Sequence, residues 1–548
     1  MIQMNTLICE KASLLRRLGN KRGEVSQGSS MADGDFMTKR ISADHSACDC
    51  CGDPILPNFS RRSMLFGASG MAGLSMLTSA APFAAPAAYA QQGTSTKLPG
   101  RSELVIRKGS IVTVDDKLGN IEGGDIHVRN GEIIAIGKDL QVPAGVEEID
   151  ASRRIVMPGL VETHWHTWTS AVRNLLAPEF EYFKLKGAIV PHMTPEDFYA
   201  ADMLAMTEAL NAGITTIHNY CHHVMSRETV EAEMRAHQDA GIRALYTFGH
   251  RDGLANDKLI DLDLAAGIQA NWFGSSSPLD GRVTFGINSR GPASLSEAIF
   301  RKELDWAFER DLMVAMHAGQ NRYSYSVVPL KQMGYLGPKT LIVHFVLAKP
   351  EDRAVMAETN APLSYSVHSE LRLGGGGYQA QQLVAMANDG VLVSFSFDGN
   401  TLAPIDMFET MSTAWYMGIP YTGSETEKMK PLNFKQIIEM GTINGATALG
   451  LGDKTGSLTV GKRADITLVR ADDLNMIPHG FVDGMIARTA RASNVDTVIA
   501  DGRIMKRGGK IVGLDVEKVK SDAVRSAFNL RLKAGGRIAP SSTTPPAF

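Results

Sequence analysis

Short hydrophobic runs rich in β-branched and aromatic residues recur between residues 154 and 400, and segments with helix signals separate them. The eight runs are RIVMPGLVETHWH, ITTIHNY, IRALYTFGHR, RVTFGINS, LMVAMHAG, TLIVHFV, APLSYSVHS and VLVSFSFDGN. In the segments between these runs, helices are predicted to begin at Thr194-Pro195 and at Ser294, and another is predicted to end at Asn388. This alternation predicts an α/β fold, a (β/α)8 TIM barrel. An open doubly wound sheet would need fewer strands and a glycine-rich turn after the first strand, which the sequence lacks.

The segments on both sides of the predicted barrel alternate between apolar and polar residues, as half-buried strands do. Asn130-Gly131 lies in the middle of one predicted hairpin and Asp501-Gly502 in another. Residues 98–153 and 451–516 are therefore predicted to pair into one small composite β-sandwich, with the barrel at residues 154–450 between them. Residues 517–548 are predicted to form a C-terminal helix and a frayed tail.

Residues 1–90 are predicted to be a leader that is cleaved. Arg61-Arg62 precede a small, apolar stretch that ends in Ala-Tyr-Ala at residues 88–90, the pattern of a twin-arginine signal peptide. We therefore expect export by the twin-arginine machinery to the periplasm or the cell exterior, with the true start open between Met1 and Met31. A membrane anchor is the alternative. Because the apolar stretch is short and rich in Gly, Ala and Ser, we expect no stable membrane insertion.

Composition and charge limit the partners of the exported chain. The formal net charge of the full 548-residue sequence is −3 and both signs are dispersed, so a nucleic-acid partner is not expected. Only Cys221 of the five cysteines lies beyond residue 90, and the mature chain therefore forms no internal disulfide. The expected partner is a small-molecule substrate, while a homo-oligomer stays an open alternative.

Histidines and one aspartate interrupt the apolar runs near the ends of four predicted strands. His164 and His166 are two residues apart on an extended segment, so their rings point to the same side and can reach one cation. The carboxyl ends of barrel strands meet at one mouth, where active sites of this fold lie. The same mouth should therefore receive His317, His344 and Asp398. These residues predict a metal site.

Several motifs together resemble the amidohydrolase superfamily, especially its branch of cytosine deaminases and triazine hydrolases, or chlorohydrolases. They are MPGLVETHWH, GITTIHNYCHH, MHAG, VHFV, FDGN and TINGATALGLGDKTGSLTVGKRADITLV, and the resemblance covers nearly all of residues 103–515. It implies one divalent metal, zinc or alternatively iron, bound by His164, His166, His317 and Asp398. His344 would hold the hydrolytic water or join the ligands. Binuclear relatives need a bridging lysine or carboxylate on the fourth strand, and RVTFGINS has neither.

The ligands imply hydrolysis by a metal-activated water, with Asp398 as proton shuttle and His344 stabilising the developing negative charge. Members of the branch carry a glutamate three residues after the fifth-strand histidine, where it exchanges protons with a substrate ring nitrogen. This chain has Gln320, whose amide exchanges no proton at neutral pH. We therefore predict hydrolysis of a non-peptide C–N bond of the amide, carbamate, urea or amidine type. Deamination or dechlorination of a nitrogen heterocycle is the alternative, with Glu370 as the acid unless that carboxylate is structural.

Further residues near the predicted strand ends are candidates for substrate binding: Gln320, His222, Trp168, Glu370 and His368. Two other classes of function stay open. A catalytically impaired periplasmic protein that binds a metal or ligand would keep the histidines, but the presence of Asp398 argues against it. A purely structural secreted protein would bind no metal. The substrate itself is not specified by the sequence, since loops set specificity on barrels.

Overall fold

The computed structural model describes residues 98–177, 181–274, 276–318, 325–373 and 378–546. The predicted leader, the twin-arginine signal and Gln320 lie outside these ranges. The strands are β1 Leu104–Ile111, β2 Ile121–Arg129, β3 Glu132–Gly137, β4 Glu147–Asp150, β5 Arg154–Pro158, β6 Leu160–Val161, β7 Ile214–Tyr220, β8 Arg243–Phe248, β9 Val283–Ser289, β10 Met313–His317, β11 Thr340–Val343, β12 Leu363–Tyr365, β13 Val393–Phe395, β14 Ile466–Arg470, β15 Val495–Ala500, β16 Arg503–Arg507 and β17 Lys510–Ile511.

Helices connect these strands and follow the last one. They are α1 Tyr182–Ile189, α2 Pro195–Asn211, α3 Arg227–Ala240, α4 Leu262–Trp272, α5 Glu297–Phe308, α6 Val328–Gln332, α7 Pro350–Thr359, α8 Val367–Leu373, α9 Tyr378–Asn388, α10 Met407–Met417, α11 Phe434–Met440, α12 Ile443–Ala448, α13 Val482–Gly484 and α14 Val516–Ala534. Short 3₁₀ turns cover Thr167–Val172, Val190–His192, Ala492–Asn494 and Gly536–Ile538, and a π turn covers Met485–Thr489. Among the described helices, none combines the length and apolar character needed to cross a bilayer.

The eight strands β6 to β13 form one parallel sheet in sequence order, and this sheet is the barrel. Backbone hydrogen bonds bring its first and last strands together, because the Thr163 N–H donates to the Phe395 carbonyl at 3.1 Å and the His166 N–H to the Asp398 carbonyl at 2.7 Å. Every residue of β7 and β8 is buried, as expected for strands covered on both faces. The predicted (β/α)8 TIM barrel is confirmed.

Local capping signals position the barrel helices. Thr194 caps α2 in a reciprocal hydrogen-bonded box with Asp197, and proline follows at the first helical position, as predicted. Helix α9 ends at Asn388, also as predicted. The cap of α5 is Ser296, which corrects the predicted start at Ser294 by two residues. Both serines stand in the same short polar segment, so sequence alone does not separate them.

The segments on both sides of the barrel form one hydrogen-bonded nine-stranded sheet, an additional sheet domain built from both ends of the chain. Its strands run in the order β17, β16, β15, β14, β5, β1, β2 and β3, and β4 pairs with β1. Side chains from both ends of the chain, including Leu104, Ile126, Ile466 and Ile499, share one apolar core within it. The sheet therefore depends on residues far apart in sequence.

The first predicted barrel strand is in fact two strands in different sheets. Strand β5 pairs with β1 and β14 in the composite sheet, whereas β6 begins the barrel. Gly159 lies between them, and a Cβ there would be 2.0 Å from Oγ1 of Thr215, so the chain passes too close for any side chain. A continuous apolar run fits either sheet, and for this reason the pattern did not show the break.

Candidate active site

Five side chains at the carboxyl ends of four barrel strands converge on one point. Nε2 of His164 lies 3.3 Å from Nε2 of His317 and 3.5 Å from Oδ1 of Asp398. Nε2 of His166 lies 3.4 Å from the same Asp398 oxygen. The ring of His344 lies 5.2 Å from that of His317, measured between centroids. The structure thus brings together all five residues predicted to form the metal site, and we call them the ligand cluster.

Hydrogen bonds behind the ligand cluster fix the orientation of its side chains. Nδ1 of His166 lies 3.0 Å from the Tyr220 carbonyl, which directs Nε2 of the ring inward. Nδ1 of His344 lies 2.8 Å from a carboxylate oxygen of Glu370. The Ser369 hydroxyl donates to Oδ2 of Asp398 at 2.5 Å, so Oδ1 is the oxygen that faces the histidines. Such partners set ring orientation and tautomer in metal sites.

The backbone at two of these positions adopts a left-handed conformation that is uncommon for residues other than glycine. His344 has φ 71° and Asp398 has φ 63°. Each strained residue is held by its backbone N–H, which donates to the Ser364 carbonyl at 3.0 Å for His344 and to the His164 carbonyl at 2.9 Å for Asp398. Strain of this kind clusters at functional sites and aims both side chains into the mouth.

Glu162 lies directly beneath the ligand cluster and was missed by sequence analysis. Its fully buried carboxylate accepts backbone N–H groups of His164 at 2.8 Å, Phe397 at 3.2 Å and His218 at 3.3 Å. Burial raises the pKa of Glu162 to about 8 against the opposing effect of these hydrogen bonds. A glutamate inside the apolar run before the paired histidines was the available signal. Through these three hydrogen bonds, Glu162 connects the end of β6 to the neighbouring strands β7 and β13.

The electrostatics of the ligand cluster suit a cation. Burial, and then the neighbouring rings, lower the pKa of His164 well below its ordinary value, and burial does the same to the pKa of His166. Both rings are therefore neutral at pH 7, which is the form that binds metals. Three imidazole nitrogens and a carboxylate oxygen facing one another match the ligands of a divalent metal such as zinc.

The residues predicted to bind substrate have different surroundings. The His222 ring lies 4.1 Å from that of His166 between centroids, so it borders the ligand cluster. Trp168 is buried in an apolar cluster, and its ring lies 4.9 Å from that of His223 between centroids at an interplanar angle of 78°. His368 is partly exposed in α8, with Nε2 3.9 Å from a Glu409 oxygen.

Glu370 has a different place from the one predicted. It lies in α8 instead of the seventh strand and is fully buried. The same carboxylate oxygen that faces His344 accepts the Ser366 N–H at 3.3 Å. Its position behind His344 is that of a residue that orients this ring, and substrate in the mouth would meet the ring first.

A second group of polar side chains lies on the β7 and β8 side of the same mouth. His222 and His223 follow β7, and Asp252 follows β8, with their potential ligand atoms within 4.8 Å of one another. Lys186 of α1 approaches Asp252, with Nζ 3.0 Å from Oδ1. Burial lowers the pKa of both histidines well below the ordinary value. We call His222, His223 and Asp252 the flanking cluster; Asp252 was not singled out by the sequence.

Comparison with known proteins agrees with this geometry. The Amidohydrolase family matches residues 155–505, which is more than half of the chain and includes every residue of the ligand cluster. The chain belongs to the amidohydrolase family. This amidohydrolase is therefore a hydrolase, as predicted, and the predictions of a C–N-bond hydrolase and of a divalent metal are also confirmed.

Named relatives of this amidohydrolase include several deaminases. It is 30% identical over 448 residues to a 5'-deoxyadenosine deaminase of Methanosarcina barkeri, covering 78% of this chain and 98% of the relative. It is 27% identical over 455 residues to a 5-methylthioadenosine/S-adenosylhomocysteine deaminase of Thermoanaerobacter pseudethanolicus, covering 78% and 99%.

Two solved structures share the fold of this amidohydrolase. One is an adenosine deaminase from Xanthomonas campestris with bound zinc, with a TM-score of 0.68, 20% identity and coverage of 79% of this chain and 99% of that chain. The other is an atrazine chlorohydrolase from Arthrobacter aurescens in complex with zinc, with a TM-score of 0.65, 20% identity and coverage of 77% and 100%. At this identity the likeness establishes the barrel and its added sheet.

Proposed function

We propose that this amidohydrolase hydrolyses a non-peptide C–N bond of a small molecule, with zinc bound by His164, His166, His317 and Asp398. The main support for this proposal is that the two oxygens of the Asp398 carboxylate have different partners. Oδ2 accepts the Ser369 hydroxyl, while Oδ1 lies 3.4 to 3.5 Å from two histidine Nε2 atoms. One oxygen is thus fixed and the other is directed at the reaction centre.

The chemistry follows from these positions. A divalent cation supplies a water of lowered pKa and polarises the group under attack. Asp398, whose Oδ1 faces the histidines, would accept the proton of that water and pass it to the leaving nitrogen. His344, oriented by Glu370, would stabilise the negative charge that develops on the group under attack. Glu162 keeps the paired histidines at the end of their strand through its backbone contacts.

Gln320 favours amide, carbamate, urea or amidine hydrolysis over ring deamination. Three residues after His317 the chain offers an amide, which exchanges no proton with a ring nitrogen at neutral pH. Glu370 does not replace it in this proposal, because it is engaged with His344. Deamination of an adenine nucleoside is the second candidate, and the names of the curated relatives favour it.

A substrate screen with paired variants separates these candidates. Ammonia or amine release is measured with amides, carbamates and ureas and, separately, with 5'-deoxyadenosine, for the zinc-loaded wild type and for Gln320→Glu. We expect turnover of the first group by the wild type, and nucleoside deamination only after Gln320→Glu. Nucleoside deamination by the wild type would replace the first candidate by the second. Zinc binding without any turnover would instead indicate a binding protein.

We also propose export by the twin-arginine route to the periplasm. The support is the Arg61-Arg62 pair before the apolar stretch, its small-residue end at residues 88–90, and the single cysteine beyond it. Cell fractionation of wild type and of the Arg61→Lys/Arg62→Lys double variant tests it. The wild type should appear in the periplasm without its first 90 residues, and the variant in the cytoplasm. Equal distribution of the two would contradict this route.

A further inference from the structure

We propose that the flanking cluster is a second divalent-cation site, in which His222, His223 and Asp252 bind a zinc-class ion next to the ligand cluster. This goes beyond the proposed function, which needs only the first metal. It also differs from a bridged binuclear centre, because its ligands follow β7 and β8 while the fourth barrel strand, β9, contributes no lysine or carboxylate.

The first observation is the geometry of the three side chains. The rings of His222 and His223 are 4.1 Å apart between centroids and inclined by 42°. Nδ1 of His223 lies 3.8 Å from Oδ2 of Asp252. Two imidazoles and one carboxylate are the ligands of three-residue zinc sites, which keep a fourth position for water or substrate, whereas magnesium and calcium prefer oxygen ligands.

The second observation is the unpaired state of the imidazoles. His222 and His223 are each 1% exposed, and both ring nitrogens of each have no hydrogen-bond partner among the described residues. A buried polar group without a partner is energetically unfavourable, and native structures retain few of them. A cation bound here would take one nitrogen of each imidazole together with the carboxylate, and would thus give a partner to two of these four nitrogens.

One carboxylate and one ammonium group lie at the flanking cluster. The Lys186 ammonium is 3.0 Å from Oδ1 of Asp252, so this oxygen already has a cationic partner. The second oxygen, Oδ2, faces His223. The two oxygens of Asp252 can therefore serve Lys186 and a metal at the same time. The ring centroids of His166 and His222 are 4.1 Å apart, so the two ions would bind to neighbouring histidines on the same side of the mouth.

Metal stoichiometry tests the proposal on the full-length protein. Chelator-stripped protein is saturated with zinc and gel-filtered, and bound zinc is measured by plasma mass spectrometry. We expect two equivalents in the wild type and one in His223→Asn, in Asp252→Asn and in His317→Asn, the last of which loses the first site. His479→Asn, which removes an exposed histidine of the composite-sheet region, should retain two. If the proposed function were wrong but the second site real, the wild type would bind two equivalents of zinc and show no turnover of the proposed substrates.

Two results would overturn the proposal: a single equivalent in the wild type, or a second equivalent that persists in both His223→Asn and Asp252→Asn. Far-UV circular dichroism and the melting temperature check that the variants fold. Should neither variant fold, a zinc-edge anomalous difference map of the wild-type crystal decides the matter. A peak between His222, His223 and Asp252 supports the site, and its absence from a map that shows the first zinc rejects it.

Discussion

At the amino-terminal end of the barrel strands, Arg243 forms ion pairs with Asp465 at 2.8 Å and with Asp501 at 3.1 Å. Asp501 accepts three further guanidinium groups at 2.6 Å each, from Arg101, Arg463 and Arg503. At the opposite end, buried histidines face one another, with Nε2 of His164 3.3 Å from Nε2 of His317.

The two ends bury polar groups in opposite ways. The arginine–aspartate cluster joins β8 to the composite sheet, and its charges satisfy each other within the chain. At the histidine end, Nδ1 of His164 and both ring nitrogens of His222 and His223 have no hydrogen-bond partner among the described residues. Because leaving a buried polar atom unpaired costs free energy, a paired cluster indicates a structural role and an unpaired one indicates a binding site.

The largest expected effect is that of Asp398→Asn on turnover. Loss of the proton-accepting carboxylate should lower kcat about 10⁴-fold, or ~5 kcal/mol, while the melting temperature changes little. Asp139→Asn is the matched control, because Asp139 is an exposed aspartate with a similar left-handed backbone, φ 51°. Steady-state kinetics and thermal melts measure both. Full activity of the Asp398 variant would contradict its role.

The converse is expected for Asp501→Asn, which should impair stability and spare the chemistry. Four arginines lose the charge of their shared partner, and breaking a buried pair costs about 3–5 kcal/mol. Asparagine tolerates the left-handed backbone of this turn, φ 53°, so the turn itself is kept. Urea unfolding gives the free energy, and activity per folded molecule should stay unchanged. Asp472→Asn, in an exposed pair with Arg153, should cost less than about 1 kcal/mol.

The pH dependence of stability sharpens the same contrast. Burial alone would raise the pKa of Asp501, but Arg243 and the other guanidinium groups outweigh it and lower the pKa from 3.8 to about 2. This lowered pKa contributes stability on the order of 2 kcal/mol, which is present above pH 4 and lost as the pH falls toward 2. The difference in melting temperature between wild type and Asp501→Asn should therefore narrow from pH 7 to pH 3. A constant difference would contradict the assignment.

A smaller effect is expected for Glu370→Gln at the histidine end. The variant keeps the shape of the side chain but removes the charge that orients His344, and outer partners of metal sites contribute about 10–100-fold to metal affinity or activity. Glu409→Gln, beside His368, is the matched glutamate control. Zinc affinity and kcat should both fall for Glu370→Gln and stay unchanged for the control. If zinc affinity and kcat were unchanged in Glu370→Gln as well as in the control, the proposed role of Glu370 in orienting His344 would be wrong.

The barrel was predictable because its strands are short apolar runs separated by capped helices, a pattern that depends on local sequence. The five ligand-cluster residues were predictable for a related reason, since each interrupts such a run at its end. The break at Gly159 was not, because the approach of Thr215 that requires glycine comes from a strand more than fifty residues later. Ser369 and Glu162 also contact groups distant in sequence, Asp398 and the Phe397 N–H, and local sequence does not show these contacts.

Periodicity predicted the order of strands and helices, spacing and residue type predicted the residues able to bind a metal, and the resemblance of the motifs indicated the family. The folded chain was needed to show that β5 and β6 belong to different sheets, that Glu370 lies behind His344, and that Asp252 meets His222 and His223. Those arrangements depend on which side chains approach across the barrel, and long-range packing sets that approach without leaving a periodic trace in the chain.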